Sequence, residues 1–517
     1  MLDQLPDIAQ LVFEHLDCED LEQLSLTSKA FLALVRPLLF RTLSLGWFRW
    51  PFDDEDDSGK AVVRYSIVRV LNDPVRLSLL KKLRILNHEN WMDSEPVVAL
   101  MVKLFDRVKL DELHIAQAER TIDMVPLTFN WSKLWVKITE HESLRVLRLQ
   151  WHRGAFFGVE KLKNLEEVSL GPYNLGYVYQ MPPRLRTLVL DNMDTGDDDY
   201  TFPSSVFETL EYLAILHSKR IFLRKLYAGF KAYFDNRFTP APALHTLRLD
   251  LFQPKTAFSF GFLFPDIMGT QVHLRDIAKL LELFSAAPAL TTLALASLPD
   301  LSDKPLPDFR TGRVVSYNEK GEETSRPPPV HYGVDGKVVD DTAVKDSVDE
   351  LFRLVGGLAK WFPRLSRLTL YMPTDSPCYF ALWELENISL LAQHLAGLVK
   401  LKHFKTNLLT SLADLGDELL KEDRFVTSIL LTATKLVRAV PHLATLELTT
   451  CLFHPIQWWH EPHPLGGWLP AKYFKFEAAP PEGGGEGVGE GEAPMPKLVD
   501  AWVEEYVTGL PMKQQEI

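Results

Sequence analysis

The chain has 517 residues, 46% of them hydrophobic and 24% charged, with a formal charge of −13. This is the balance of an ordinary globular protein with room for about two to four domain-sized units, and its acidity excludes a general nucleic-acid binder, which needs clustered Lys and Arg. Cys18, Cys378 and Cys451 stand too far apart to make a disulfide framework, and no apolar run approaches the ~18 residues of a spanning helix. The first residues are acidic and lack the basic-then-apolar order of a secretory signal, so a cytoplasmic or nuclear location is expected. The sequons at Asn130 and Asn387 are then chance matches.

Positions 5–45 read as three short amphipathic helices. Asp7 followed by Gln10 has the spacing of a capping box, with Ile8, Leu11, Val12 and Leu16 returning on one face. Asp17 can cap a second helix presenting Leu21 and Leu24, and Thr27 or Ser28 a third presenting Phe31, Leu34 and Val35. Pro37 is expected to end or restart that third helix. Helices of about ten residues fold poorly alone, so they must lean on the chain or on a partner. "LP" at Leu5–Pro6, "VFEHLD" at Val12–Asp17, "EDLEQLSLTSK" at Glu19–Lys29 and "FLALVRPLLFRTLSL" at Phe31–Leu45 together resemble an F-box, particularly its fungal form. The segment departs from that pattern by being one residue shorter between Pro6 and Phe13, and by carrying Ile8 where an acidic residue is common. The resemblance implies binding to a Skp-type adaptor and through it to a cullin. Carried over by position, Leu5, Pro6, Ile8, Phe13, Leu16, Leu21, Leu24, Phe31 and Val35 would form the adaptor-facing or packing surface. The plainer alternative is a helical cap closing one end of the fold.

From position 80 onward a phrase of the form L-x-x-L-x-L recurs eleven times, starting at Leu80, Leu110, Leu144, Leu165, Leu185, Leu210, Leu244, Leu290, Leu365, Leu401 and Leu443. Several copies follow a proline by two residues, as in "PRLRTLVL" and "PHLATLEL", where proline sets an extended entry to a strand. This is the leucine-rich-repeat signature, in which short parallel strands stack into a curved solenoid. The starts lie 20 to 75 residues apart, so the longer intervals must hold helices or loops on the outer face. The expected fold is therefore α/β: a small helical F-box over 1–45, then an irregular leucine-rich-repeat solenoid over 46–450 whose curved parallel sheet is backed by helices. Such irregularity behind an F-box resembles fungal F-box proteins with leucine-rich repeats.

Strand alternation sends the leucines inward, and the third and fifth residues of each phrase to the opposite face. Those positions hold Lys82, Arg84, Glu112, His114, Val146, Arg148, Glu167 and Ser169, then Tyr212, Thr246, Arg248, Arg367, Thr369, His403, Lys405, Thr445 and Glu447. Cations outnumber carboxylates there although the whole chain is acidic. Lys82, Arg84, Arg148, Arg248, Arg367 and Lys405 are thus candidate target-binding residues, suited to an acidic or phosphorylated peptide. The alternative is a mixed, solvated face.

Insertions interrupt the repeats at 252–271 and 299–346, the second with a hairpin where "VVSY" and "VHYG" can pair. An amphipathic helix is expected within 272–288. The stretch 451–476 is rich in aromatics among prolines, and is read as a C-terminal cap or a partner contact, with Trp458 and Trp459 as candidate anchors. Residues 477–517 read as an acidic, glycine-rich linker followed by a short amphipathic helix, "KLVDAWVEEYVTGL".

Catalytic chemistry is not expected. "EGGGEGVGEGE" imitates a phosphate loop only in spelling, since its glutamates would repel phosphate. His454, His460 and His463 near Cys451 fit no standard zinc spacing, so neither metal nor cofactor is expected. Three cysteines cannot supply the clustered ligands of a zinc-bound ligase module. The residues point to a substrate-recognition subunit of an SCF-type ubiquitin ligase. The rivals are an adaptor-binding scaffold outside degradation, a leucine-rich-repeat interaction module without ligase function, and an enzyme hidden in the 299–346 insertion.

Overall fold

Every L-x-x-L-x-L phrase becomes one strand, and the strand begins at the third residue of the phrase. The structure, a computed structural model, describes residues 12–13, 16, 18–45, 58–87, 94–117, 129–150, 158–171, 182, 184–191, 204–216, 220–235, 243–250, 274–296, 307–308, 313–314, 316–317, 323–325, 341–370, 385–411, 422–440, 442–453, 472–479 and 495–503. The chain divides into two compact units, Met1–Leu210 and Glu211–Ile517.

In the first unit, β1 (Thr42–Leu45), β2 (Lys82–Asn87), β3 (Glu112–Gln117), β4 (Val146–Gln150), β5 (Glu167–Leu170) and β6 (Thr187–Asp191) pair in parallel, in chain order. The register matches like with like: Lys82 faces Glu112, Glu112 faces Val146 and Val146 faces Glu167. Identical positions therefore stack in columns. Leu83, Leu113, Leu147, Val168 and Leu188 form one buried column, and Ile85, Ile115, Leu149, Leu170 and Leu190 another. The leucine that opens each phrase is buried beside them.

A backbone contact repeats at each step. The carbonyl of the phrase's second residue accepts two N–H donors from the next phrase. Lys81 O accepts from Asp111 N at 2.8 Å and Glu112 N at 3.1 Å, and Asp111 O accepts from Arg145 N at 2.8 Å and Val146 N at 3.0 Å. Arg41 O serves Lys81 N and Lys82 N in the same way, each at 2.9 Å. β1 is thus a twelfth copy of the phrase, "FRTLSL" opening on Phe40 instead of leucine. It joins the sheet although the sequence assigns 1–45 to a separate helical piece.

Parallel strands need crossover connections, and the interval between phrases sets what each one holds. α3 (Ser58–Leu71) and α4 (Pro74–Leu79) fill the gap before β2, α5 (Glu95–Phe105) that before β3, and α6 (Phe129–Thr139) that before β4. (α1, Cys18–Thr27, and α2, Lys29–Leu39, precede β1 and are described with the site.) In the tighter interval before β5 the described residues form a 3-10 turn at Val159–Lys161. α3 packs on α5 and α5 on α6, forming a helix layer over the leucine columns. At α4, Asp73 caps the helix by accepting from Val75 N and Arg76 N, with Pro74 at the first position, where no amide donor is needed.

The second unit repeats the scheme. β7 (Tyr212–Leu216), β8 (Thr246–Asp250), β9 (Thr292–Ala296), β14 (Arg367–Leu370), β15 (His403–Ser411) and β16 (Thr445–Phe453) are parallel neighbours. β9 pairs directly with β14 across the longest interval, so the intervening insertion leaves the sheet register intact. α7 (Arg220–Asp235), α8 (Leu274–Phe284), α9 (Asp341–Trp361), α10 (Leu385–Ala396) and α11 (Glu422–Ala439) pack successively on one another. α8 is the helix expected within 272–288, and it buries Ile277, Leu280, Leu281 and Phe284. Gly356 within α9 has a packing cause: a Cβ there would lie 2.9 Å from His394 Nδ1 on α10.

Several expectations are corrected. α9 begins at Asp341, inside the range assigned to the 299–346 insertion. Of the hairpin expected between "VVSY" and "VHYG", the second half lies outside the described residues. Arg313–Val314 (β11) pairs with Pro307–Asp308 (β10), and Ser316–Tyr317 (β12) with Glu323–Ser325 (β13), because nearer partners close at lower loop entropy. The segment 495–503 is not the expected helix but strand β18 (Met495–Val503). It runs antiparallel to β17 (Lys472–Ala479), which runs antiparallel to β16. β-branched Val499 and Val503 with Trp502 favour a strand, and sheet pairing overrides a short helical pattern. The insertion at 252–271 lies outside the described residues, as do Trp458 and Trp459.

A leucine in these columns has no room to relax. Leu147→Ala is expected to cost about 2–5 kcal/mol, read as a lowered urea midpoint for the first unit, whereas a truncation of solvent-exposed Val136 should shift it little.

Candidate functional site

Two surfaces emerge, one on the N-terminal helices and one on the strand face opposite the leucine columns. α1 (Cys18–Thr27) packs on α2 (Lys29–Leu39). Ser28 caps α2 by accepting from Phe31 N at 3.1 Å. Pro37 does not end α2, which continues to Leu39. The proline lies in the last turn, where its missing donor costs a single backbone bond.

Phe13, Leu21 and Val35 are 3%, 7% and 0% exposed and form a small closed core, against which Leu16, Leu24, Phe31, Leu34, Leu38 and Leu39 pack. The Phe13 and Phe31 rings meet edge to face with centroids 6.1 Å apart. The candidate residues Phe13, Leu16, Leu21, Leu24, Phe31 and Val35 are thus placed on the packing side of the helices. Leu5, Pro6 and Ile8 lie outside the described residues. The apolar side chains turned outward are others: Val12 at 50% exposure, Leu26 at 80% and Leu32 at 43%. Sequence reading put Val12 on the apolar stripe of the first helix but not among the site residues, and passed over Leu26 and Leu32 because they fall off the dominant stripe of their helices.

This helical piece is fastened to the sheet. Two guanidinium groups lie over the Phe40 ring, Arg36 at 5.3 Å and Arg76 of α4 at 4.2 Å. Two residues later the chain enters β1.

Charges on the strand face are arranged differently in the two units. In the first, Lys82 Nζ lies 2.8 Å from Glu112 Oε2, while Arg148 reaches Glu112 at 3.6 Å and Glu167 at 2.8 Å. Positive and negative groups alternate across β2, β3, β4 and β5. Glu112 is 8% exposed. Burial pushes its carboxyl up, but the hydrogen bond and charge of Lys82, aided by Arg148 and Arg84, outweigh this and leave it below its ordinary value. Arg84 is exposed on the same face.

In the second unit, Arg248 on β8 is engaged in contacts of its own. Lys405 Nζ lies 3.2 Å from Glu447 on β16. Arg367 is exposed on β14 beside His403, whose Nδ1 lies 2.8 Å from Thr445 Oγ1. Burial first, then the charges of Arg367, Lys402 and Lys475, hold His403 below the usual imidazole value, with Glu447 opposing. Lys475 was not foreseen, because β17 was not read as a strand.

A shallow depression in the first unit is lined by Phe105, Asp106, Lys137, Glu140 and His141 among others. Lys137 spans it, 3.2 Å from Asp106 and 3.1 Å from Glu140. His141 Nε2 is buried without a partner among the described residues, and burial lowers that imidazole's proton affinity. Among the described residues no helix is long and apolar enough to cross a membrane.

Residues 2–43 match the F-box domain family, which supports an F-box protein. F-box domains generally bind Skp-type adaptors. No curated protein matches the chain.

The Glu112 charge pairs generate a pH signature. A carboxyl held low in the folded state contributes stability above its unfolded value, and loses it as pH falls through the folded one. Wild-type urea midpoints should therefore drop on acidification more steeply than those of Glu112→Gln. At neutral pH the variant should be weaker by about 1–3 kcal/mol, because Lys82 and Arg148 lose a partner.

Proposed function

We propose that this chain is the substrate-recognition subunit of an SCF-type cullin ubiquitin ligase, of the fungal F-box type with leucine-rich repeats. The observation that carries the reading is the F-box match at 2–43 on helices that leave Val12, Leu26 and Leu32 in solvent. Exposure alone would not decide, since Val136 and Val399 are exposed elsewhere, but here it falls within the matched segment. A docking module leaves such side chains for a partner.

Under this reading the Skp-type adaptor covers the outward side of α1 and α2, and the strand face holds a target protein. The chain itself performs no bond chemistry. Ubiquitin transfer is accelerated because the target is held near a charged enzyme recruited by the cullin, an effect of proximity. The recurring phrase, its matched register and its outer helices support assigning the strands to leucine-rich repeats. Such a complex operates in the cytoplasm or nucleus, in keeping with the sparse cysteines.

Burying a leucine side chain is worth about 1.5–3 kcal/mol, part of which association consumes. The double variant Leu26→Asp, Leu32→Asp is expected to lose about 100-fold or more in adaptor affinity while keeping its helical circular dichroism. Phe31→Asp should lose both, because Phe31 belongs to the packing core. Undiminished adaptor capture by the double variant would remove the docking surface. A protein whose abundance falls with this chain, and recovers under proteasome inhibition, would establish the degradative role over a scaffolding one.

A further inference from the structure

The cations of the strand face are not equivalent, and the difference locates the target site. In the first unit Lys82 and Arg148 are occupied by Glu112 and Glu167, so that stretch compensates itself. Near the other end of the repeats the pattern fails to close. Arg367, His403, Thr445 and Glu477 stand opposite one another in register, as do Thr369, Lys405, Glu447 and Lys475. Lys402 adjoins His403 at the entrance to β15. Glu447 is drawn to Lys405 and Asp500 stands opposite Lys475 in register, while among the residues whose side chains are described no ion pair joins a carboxylate to Arg367, Lys402 or Lys475. The low proton affinity of His403 is a second sign of positive surroundings, since after burial the causes are Arg367, Lys402 and Lys475.

We propose that the strand face of β14, β15, β16 and β17, with Arg367, Lys402, His403 and Lys475, holds an acidic segment of the target protein. This deepens the receptor reading and rests on it. The segment's negative charge comes from carboxylates or phosphates, both of which accept paired hydrogen bonds from a guanidinium. A chain of net charge −13 repels acidic peptides over most of its surface. An acidic target therefore needs a local reversal of sign, and these strands supply one.

The test uses the full chain purified with its adaptor and measures fluorescence anisotropy of three labelled peptides of equal length. One is rich in glutamate, one carries phosphoserine at the same positions, and one carries glutamine there. The acidic peptides are expected to bind and the glutamine peptide not. Arg367→Gln with Lys475→Gln should weaken acidic binding by about tenfold or more, and Arg84→Gln on the first unit should leave it unchanged. Tighter binding of the phosphoserine peptide would identify phosphate as the group held, and equal binding would show that carboxylates suffice. Either result supports the site. Full affinity in the Arg367, Lys475 variant, equal loss in Arg84→Gln, or single-stranded DNA bound as tightly as the peptides would overturn it. Adaptor capture by the same preparation is scored separately, so a failure of the receptor reading is seen apart from a failure of this site.

Discussion

The structure depends on one backbone arrangement: a carbonyl at the second residue of each phrase that accepts two amides from the next. It is repeated from Arg41 through Lys81, Asp111 and Arg145 to Glu166, and again from Glu211 through His245, Thr291 and Ser366 to Lys402. Because the doubled contact fixes where each strand starts, no strand can slip by a residue without losing two hydrogen bonds and turning its leucines to solvent. Columns of leucine on one face and columns of polar residues on the other are then unavoidable. Which charges meet which is decided by position within the phrase, even when the partners lie far apart in the chain.

The same arrangement explains why the N-terminal helices are not a loose appendage. Two residues separate α2 from β1, Arg41 makes the doubled contact to Lys81 and Lys82, and Phe40 meets the guanidinium groups of both Arg36 and Arg76. Helices this short lack the area to fold alone. Their small core of Phe13, Leu21 and Val35 is closed by their own side chains, and the link to the sheet runs through Phe40 and Arg41. The residues that look most F-box-like in sequence are therefore the ones the helices keep for themselves. Under the receptor reading, contact with a partner falls to the leucines outside that core, Leu26 and Leu32.

Most of the strand framework was legible because a single period governs it. A phrase with leucine at fixed offsets leaves little freedom once the alternation of a strand is granted, and each phrase in fact opens its strand at the third residue. β1 escaped notice because Phe40 replaces the first leucine and because its residues also belong to the helical segment. β18 was misread since Leu498, Val499 and Trp502 fit both a helical stripe and a strand. Only pairing with β17, a long-range event, decides between them. Charge on the strand face was legible as composition but not as compensation. That Lys82 and Arg148 share Glu112 follows from the register of β2, β3 and β4, which local sequence does not contain.

Under the receptor reading, the two candidate surfaces differ in kind, and the difference suits their roles. The outward side of α1 and α2 offers apolar area, whose burial is nearly indifferent to salt and favours a lasting complex. The face around Arg367 and Lys475 offers charge in partial contact with solvent, where attraction speeds encounter but is screened, so partners exchange. A receptor that stays on its adaptor while turning over targets needs that asymmetry. An apolar target face would retain each cargo, and a charged adaptor face would release the receptor whenever ionic strength rose.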